Sequence, residues 1–527
     1  MYKPISLIAV ALILAQAAAQ GGDITWTGGN ETWFDTGHWN PGRLPSIASN
    51  DTVIIQNNGT ARIEAPGAET VNANVGGSVT GNGHLHIGPG GTLECASSLY
   101  LQSGDAAYHS EVVIAGGTAT VGRVQLQMSK GPALVQVTGG VLRVTASGSA
   151  VFAGGGGGWT RQGLQTVEVC GDGRMEMTNA ASEIELGSGV GTEGHLNLYG
   201  NGVLTNAYRM AMGHSATGGL GVLTISNNAV LHMTGTLYIG GDWNDPDVSL
   251  CGASGTVRVA GGVLSAQNIY PGYYGTGRLL VEGGKVECAD TMIVNYKAGS
   301  YGYVQQTGGT VDVSKLYLGY GTTPRVGFYN LSGGVLRTRV ATTGFTNVNS
   351  ILNLTGGTFS FARWYTGGPP LVNAGATMSP GLDYAGWSNI QTNYVETSSA
   401  CKISIDLGGT NQATGSQIGV TNAPGYYDYV LVDNGVTLAG DLRVNIINGF
   451  DQTVKATDKF YVMSAGSTIG GAFANVASGE RITTPDRHSF LVYYGSNAAT
   501  TGAGMDPKRV TLTGFRRAPK GTVIAVH

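Results

Sequence analysis

A double glycine returns through the middle of this chain at nearly constant spacing, and that return limits the fold more than any other feature. "GGVLSA" begins at Gly261, "GGKVEC" at Gly283, "GGTVDV" at Gly308, "GGVLRT" at Gly333 and "GGTFSF" at Gly356, so successive starts lie 22, 25, 25 and 23 residues apart. Earlier copies begin at Gly90, Gly116 and Gly139. Between Gly140 and Gly261 the phrase degrades but stays readable. "VEVCGDGRMEM" (Val167 to Met177), "LNLYGNGVLTN" (Leu196 to Asn206) and "LTISNNAVLHM" (Leu223 to Met233) carry one extra turn residue. A period in this range marks a stacked solenoid.

Each repeat has the same parts. A strand alternates apolar and polar residues, as in "TVRVA" (Thr256 to Ala260), the glycine pair turns the chain, and a second strand follows. Glycine takes positive φ without steric cost, and Asn and Asp take it more cheaply than most residues. That accounts for Gly-Asp, Gly-Asn and Asn-Asn in the degenerate turns. One repeat cannot bury its own apolar face, so neighbouring coils must stack and pair. A β-propeller needs longer, four-stranded repeats of about 40 residues or more. The reading is therefore an all-β parallel β-helix. Residues 76–370 supply about a dozen coils, or roughly 60 Å at the strand spacing of a sheet. Residues 20–75 read as an N-terminal cap and 371–527 as a β-rich C-terminal segment.

Composition agrees. The 527 residues include 87 glycines without a three-residue period and only 16 prolines, which excludes collagen. Charged residues make up 12 % and the net charge is −4, so no broad basic face exists and nucleic acid is excluded as a partner. Residues 1–19 read as an export signal: Lys3, an apolar run from Ile5 to Leu14, and an Ala17-Ala18-Ala19 cleavage site. The expected mature chain starts at Gln20, is secreted or held at the cell surface, and has no transmembrane segment. Five cysteines, Cys95, Cys170, Cys251, Cys288 and Cys401, leave at least one unpaired and form no C-x-x-C pair. Cys95 and Cys288 hold the same place in repeats seven coils apart, too far for a disulfide. They read as small buried hydrophobes.

Trp26, Trp33 and Trp39 cluster in "ITWTGGNETWFDTGHWNPGRLPSIASNDTVIIQNNG" (Ile24 to Gly59) and read as an aromatic cap; a carbohydrate-stacking platform is the alternative. The stretch W-x-G-G…W…H-W…P…D-x-V-x-I resembles the opening of many exported bacterial β-helix proteins. The coils that follow resemble the repeats of autotransporter passengers and PEP-CTERM-associated repeat proteins. "ATMSPG" (Ala376 to Gly381), "ISIDLGGT" (Ile403 to Thr410) and "YYDYVLVDNGVTLAGDLRVNIINGF" (Tyr426 to Phe450) are similar to the stretch that closes such passengers. The resemblance implies a passenger-like architecture, here without the membrane barrel or the sorting tail.

Candidate chemistry is sparse. "GGDWNDPDVS" (Gly240 to Ser249) places Asp242, Asp245 and Asp247 in one loop beside Trp243. Clustered carboxylates can bind Ca²⁺ or act on a glycan beside a stacking ring, whereas Asp-Pro and Asn-Asp also make ordinary turns. His84 and His86 share a strand face without a visible third ligand. "PDRHS" (Pro485 to Ser489) holds Asp, His and Ser side by side, which triads rarely do. Tyr273, Tyr296 and Tyr320 occupy one position in three successive coils. A parallel stack makes them an aromatic ladder, either packing rung to rung or offering a contact strip for a glycan. No catalytic residue is assigned and no cofactor is required. The expected function is a structural or adhesin-like β-helix, with extracellular glycan or cell-surface components as partners. The alternatives are a polysaccharide lyase or hydrolase, and a glycan-binding module without turnover.

Overall fold

The computed structural model describes residues 21–77, 81–103, 105–154, 164–189, 191–213, 218–241, 252–319, 326–338, 344–345, 350–364, 369–381, 384–414, 425–496 and 505–519. The regular structure of the described residues is almost all β, arranged in long parallel sheets, and the fold is a parallel β-helix. It divides into two compact units between Val257 and Arg258.

In the first unit each coil has three strand segments. Ala133–Val137 pairs in parallel with Ser110–Ile114 on one side and Leu164–Val169 on the other. After the glycine turn, Val141–Val144 pairs with Thr118–Val121 and Arg174–Met177. A corner then leads to Gly148–Ala153, which pairs with Ser182–Leu186. Because register is kept from coil to coil, every second residue points inward and like stacks on like. Val112, Val135, Val167, Leu196 and Leu223 form one such row, each at most 1 % exposed. Burying one such side chain contributes about 1.5–3 kcal/mol.

The second unit repeats the plan. Thr276–Val281, Tyr301–Gln306, Gly327–Leu331 and Ile351–Leu354 run in parallel register. Its inward rows include polar members that the alternation alone does not reveal. Gln306 is fully buried; its Nε2 donates to the Val335 carbonyl at 2.9 Å, and its Oε1 accepts from the Tyr329 hydroxyl at 2.7 Å. The parallel ladder continues past residue 370, through Leu371–Asn373, Tyr394–Glu396 and Val436–Leu438.

The glycine pairs are explained by contact between coils. The Gly284 carbonyl accepts from Thr310 N at 2.9 Å, Gly309 from Val335 N at 2.9 Å and Gly334 from Thr358 N at 2.8 Å. Gly284, Gly309 and Gly334 have φ of 64°, 62° and 74°. A Cβ on Gly309 would lie 2.6 Å from the Gly284 carbonyl oxygen, and one on Gly308 would lie 2.2 Å from that of Glu282. The first glycine of the pair is needed for space, the second for space and conformation. Where the first unit uses three-residue turns, the extra residue builds a side-chain ladder. Asn201 Nδ2 donates to Asp172 Oδ1 at 3.0 Å, and Asn228 Nδ2 to Asn201 Oδ1 at 3.4 Å.

The cysteine position is the corner between the second and third segments. Register shifts there, at Cys95 and at Cys288. Each thiol donates across the break to a carbonyl of the preceding coil, Cys95 to Val71 and Cys288 to Gln267, both at 3.5 Å. Burial pushes both thiols up to about 12. The four cysteines among the described residues are buried and free; Cys251 lies outside them.

Trp26, Trp33 and Trp39 are buried, which makes them a cap and leaves no ring face for a sugar. Trp39 meets the other two edge to face, with centroids 4.8 Å apart, and its Nε1 donates to the Trp33 carbonyl at 2.7 Å. Trp39–Asn40 lies antiparallel against Asp23–Trp26 and closes that strand's outer edge. At the other end the sheet of Trp387–Ile390, Tyr429–Val432 and Phe460–Ala465 stops stacking in parallel. Arg509–Arg516, Ser489–Tyr493 and Arg481–Thr483 fold back antiparallel. Beside Asp441–Ile446 a single side chain takes the place of a further strand. Asn475 Oδ1 accepts from Leu442 N at 3.0 Å, and Asn475 Nδ2 donates to the Leu442 carbonyl at 2.8 Å.

Two outcomes follow from these contacts. Gly299 has φ of 81° but open space at its Cβ position. Gly299→Ala should therefore cost only the left-handed penalty of about 1–2 kcal/mol. Gly309→Ala should cost roughly 1–3 kcal/mol more, because its methyl meets a carbonyl. Equal midpoints in denaturant unfolding would show that coil spacing relaxes to admit a methyl. Asn475→Ala leaves the Leu442 amide and carbonyl at a bare strand edge, an invitation to pairing between molecules. Sedimentation velocity over a concentration series should then show larger species than in the unaltered chain, and superimposable profiles would assign edge closure to other groups.

Candidate functional site

The sequence-derived ladder is built on two successive coil turns of the second unit. The first follows the strand Val263–Pro271, the second the strand Lys285–Val294. The strands pair with a 23-residue offset, Met292 against Ile269, and the same offset places Tyr296 on Tyr273. The turns hold this register through their backbones. Asn295 N donates to the Pro271 carbonyl at 2.7 Å, Tyr296 N to Gly272 at 2.9 Å and Lys297 N to Tyr273 at 3.1 Å. Gly272 and Asn295 adopt φ of 76° and 69° to make the bends. A Cβ on Gly272 would meet Gly302 N at 2.5 Å, so only glycine fits there. Ser300 Oγ lies within hydrogen-bonding distance of the Gly272 carbonyl (2.9 Å), the Lys297 carbonyl (2.7 Å) and Asn295 Oδ1. Asn295 Nδ2 donates onward to the Val326 carbonyl at 3.1 Å. The rings thus stand on a braced platform.

Tyr273 and Tyr296 stack with centroids 4.9 Å apart and planes 12° apart. Tyr270 joins them, 5.8 Å from Tyr273 and 5.5 Å from Tyr296, again nearly parallel. Tyr274 meets Tyr273 edge-on at 4.9 Å and 83°. Lys297 Nζ lies 5.1 Å from the Tyr296 centroid and 5.3 Å from that of Tyr274. All five side chains are half-buried. Stacking and edge contacts of this kind contribute about 0.5–1.5 kcal/mol each, and an ammonium over a ring about 0.5–1 kcal/mol at a surface.

The structure therefore brings Tyr273 and Tyr296 together as the repeat alignment expects. Tyr320 lies outside the described residues, as do Trp243, Asp242, Asp245 and Asp247. Tyr270, Tyr274 and Lys297 complete the cluster and were not singled out from sequence. The phrases "IYPGYY" and "NYK" contain them, but membership depends on how the turn folds. The stack also differs from a row of open faces. The planes of Tyr270, Tyr273 and Tyr296 lie nearly parallel, within about 21° of one another.

Other candidates within the described residues make local side-chain contacts. His84 Nδ1 lies 3.3 Å from Glu111, and its ring meets His109 at 5.4 Å. Among the described residues no three His, Cys, Asp or Glu side chains are grouped to hold a metal. In Pro485–Ser489, His488 Nδ1 accepts from Ala518 N while Ser489 Oγ accepts from Arg481 Nε, so the two side chains serve different partners. Glu396 is buried and accepts from Ala439 N, Gly440 N and the Tyr394 hydroxyl at 2.9, 2.8 and 3.0 Å. Burial nevertheless pushes its carboxyl up. Asp428 accepts from Gly386 N and Asp406 N, and burial together with the Asp406 charge raises it well above the usual carboxylate range. In the first unit the sign reverses. Arg43 grips buried Asp51 through both carboxylate oxygens and holds its carboxyl low.

Comparison with protein-family models, with curated proteins and with solved structures finds no match.

The raised carboxyls set a direction with pH. Between the unfolded values, about 4 for both residue types, and the raised folded values, the folded state binds more protons than the unfolded state. The second unit should lose stability as pH rises through that window. Asp51, held low, contributes above about 4 and loses its contribution only as pH falls through its folded value. Calorimetry should show a higher unfolding midpoint at pH 5 than at pH 7 for the second unit, with the difference reduced in Glu396→Gln. An unchanged difference in that variant would assign it to other groups.

Proposed function

We propose that this chain is an exported, non-catalytic β-helix with a structural and adhesive role, and that the Tyr270–Lys297 cluster is its contact strip. The braced stack of tyrosines carries this reading. Aromatic rings held half-buried on a rigid ladder lose little conformational freedom when a partner docks, which favours contact surfaces. The export-type N-terminus, the resemblance to passenger repeats and the low charge fit display outside the cell. Extracellular glycans and cell-surface components are the corresponding partners.

The test is a panel of insoluble polysaccharides and cell-wall preparations presented to the chain from Gln20 to His527, scored for retention and for released sugar. Retention without release is expected. The Tyr273→Ala/Tyr296→Ala double variant, checked for folding by circular dichroism, should bind on the order of tenfold more weakly, since about 1.4 kcal/mol corresponds to that factor. Release of oligosaccharide would instead establish a carbohydrate-active enzyme.

A further inference from the structure

We propose that the outer sheet face between Tyr301 and Val372 is a second contact surface, one that binds a neutral polysaccharide; it uses none of the side chains of the tyrosine cluster. The face belongs to four strands of the second unit that stack in parallel register: Tyr301–Gln306, Gly327–Leu331, Ile351–Leu354 and Leu371–Asn373. None of them contains a charged residue. Their outward side chains fall into two rows. Tyr303, Phe328 and Ile351 make an apolar row, and the Tyr301 ring lies 5.6 Å from that of Phe328. Gln305, Asn330 and Asn353 make a carboxamide row beside it. Of the five large hydrophobic side chains that stand exposed among the described residues, three lie here: Tyr301, Ile351 and Val372, at 42, 38 and 40 %. Single exposed apolar side chains are ordinary, whereas a contiguous group marks a contact surface.

The carboxamides are held in a chain. Gln305 Oε1 accepts from the Tyr303 hydroxyl at 2.6 Å, Asn330 Nδ2 donates to the Tyr303 oxygen at 3.0 Å, and Asn353 Nδ2 donates to Asn330 Oδ1. A carboxamide carries two N–H donors and an accepting oxygen. Asn353 ends the chain, is exposed, and its Oδ1 has no hydrogen-bond partner among the described residues. It stands at a groove of about 200 Å³ lined also by Ile351, Pro369, Pro370 and Val372. A sugar ring has an apolar C–H face and a rim of hydroxyls that donate and accept. An apolar row beside fixed carboxamides matches both parts. An ionised sugar would leave water to meet no counter-charge on these strands. The nearest charge in register is Arg278, one coil before Tyr303. The four strands cover roughly 300 Å², against the about 800 Å² per partner that a stable protein interface buries. That area is small for a second copy of the chain and sufficient for a linear polymer lying across the coils. Rows of like residues suit a ligand that itself repeats.

Affinity electrophoresis of the chain from Gln20 to His527 through gels containing hydroxyethylcellulose, galactomannan or polygalacturonate tests the proposal. Retardation is expected in at least one of the two neutral gels and should not change between about 20 mM and about 500 mM salt. Asn353→Ala and Ile351→Ser, both at exposed positions, should each weaken it about three- to tenfold. Leu164→Ser, which removes an exposed apolar side chain of the first unit, should leave it unchanged. The same weakening is expected with Tyr273→Ala/Tyr296→Ala already in place, which separates this face from the tyrosine strip. Retardation abolished by the tyrosine changes alone and indifferent to Asn353→Ala and Ile351→Ser would overturn the sheet-face site and leave the strip standing. Retardation by polygalacturonate only, lost at high salt, would overturn the neutral preference. Absence of retardation in both neutral gels would overturn the proposal, and a concentration-dependent dimer in sedimentation velocity, removed by Ile351→Ser, would then assign the face to a second copy of the chain.

Discussion

The structure depends on one repeated contact: the carbonyl of the second glycine in a turn accepts from the first amide of the strand in the next coil. The Gly284, Gly309 and Gly334 carbonyls receive Thr310, Val335 and Thr358 N in this way. The approach leaves no volume for a Cβ and requires positive φ. Since each turn sits on the one before it, the spacing of one pair fixes the register of the next. Register in turn decides which residues face inward, because a slip of one would send every side chain to the other face. Rows such as Val112, Val135, Val167, Leu196 and Leu223 are consequences of the turns as much as of hydrophobicity.

Where the ladder breaks, polar groups replace its hydrogen bonds. The corner shifts register, and a thiol reaches the carbonyl of the residue that the register skips: Cys95 to Val71, Cys288 to Gln267. One coil earlier Thr70 places a hydroxyl at the same corner and donates to the Asp51 carbonyl at 2.9 Å, which also accepts from Val71 N. Cysteine and threonine fit the place as small inward side chains, and Val121, Val144, Ala266 and Val313 occupy it in other coils. Glu396 serves the same end at a larger break by receiving Ala439 N and Gly440 N. A buried carboxylate is costly, but orphaned backbone amides are costly too, and its location follows from that balance.

Legibility in the sequence followed the range of the cause. The glycine period was readable because a steric requirement at each turn repeats in every coil. The Tyr273–Tyr296 contact was readable because their separation equals the 23-residue strand offset. The tryptophan cap was readable from clustering. Asn475 was not, since nothing near it in sequence marks a carboxamide that will meet Leu442. Arg43 and Asp51 lie eight apart in an irregular segment, and their pairing depends on the path between them. Tyr270, Tyr274 and Lys297 escaped notice because periodicity selects one position per coil, whereas a turn gathers neighbours from several positions.

That last difference bears on where a solenoid can acquire a function. A strand position is repeated in every coil, so neighbouring residues there share similar surroundings, and the ladder imposes the same hydrogen bonds on each. Distinct chemistry requires a place where the repeat is interrupted. The turns at Pro271–Tyr274 and Asn295–Ser300 are such a place: they keep the ladder through Asn295, Tyr296 and Lys297 N, while the positive φ of Gly272 and Asn295 frees the side chains from strand alternation. Rigid register from the coil and free placement from the turn are both needed to set four rings and an ammonium together.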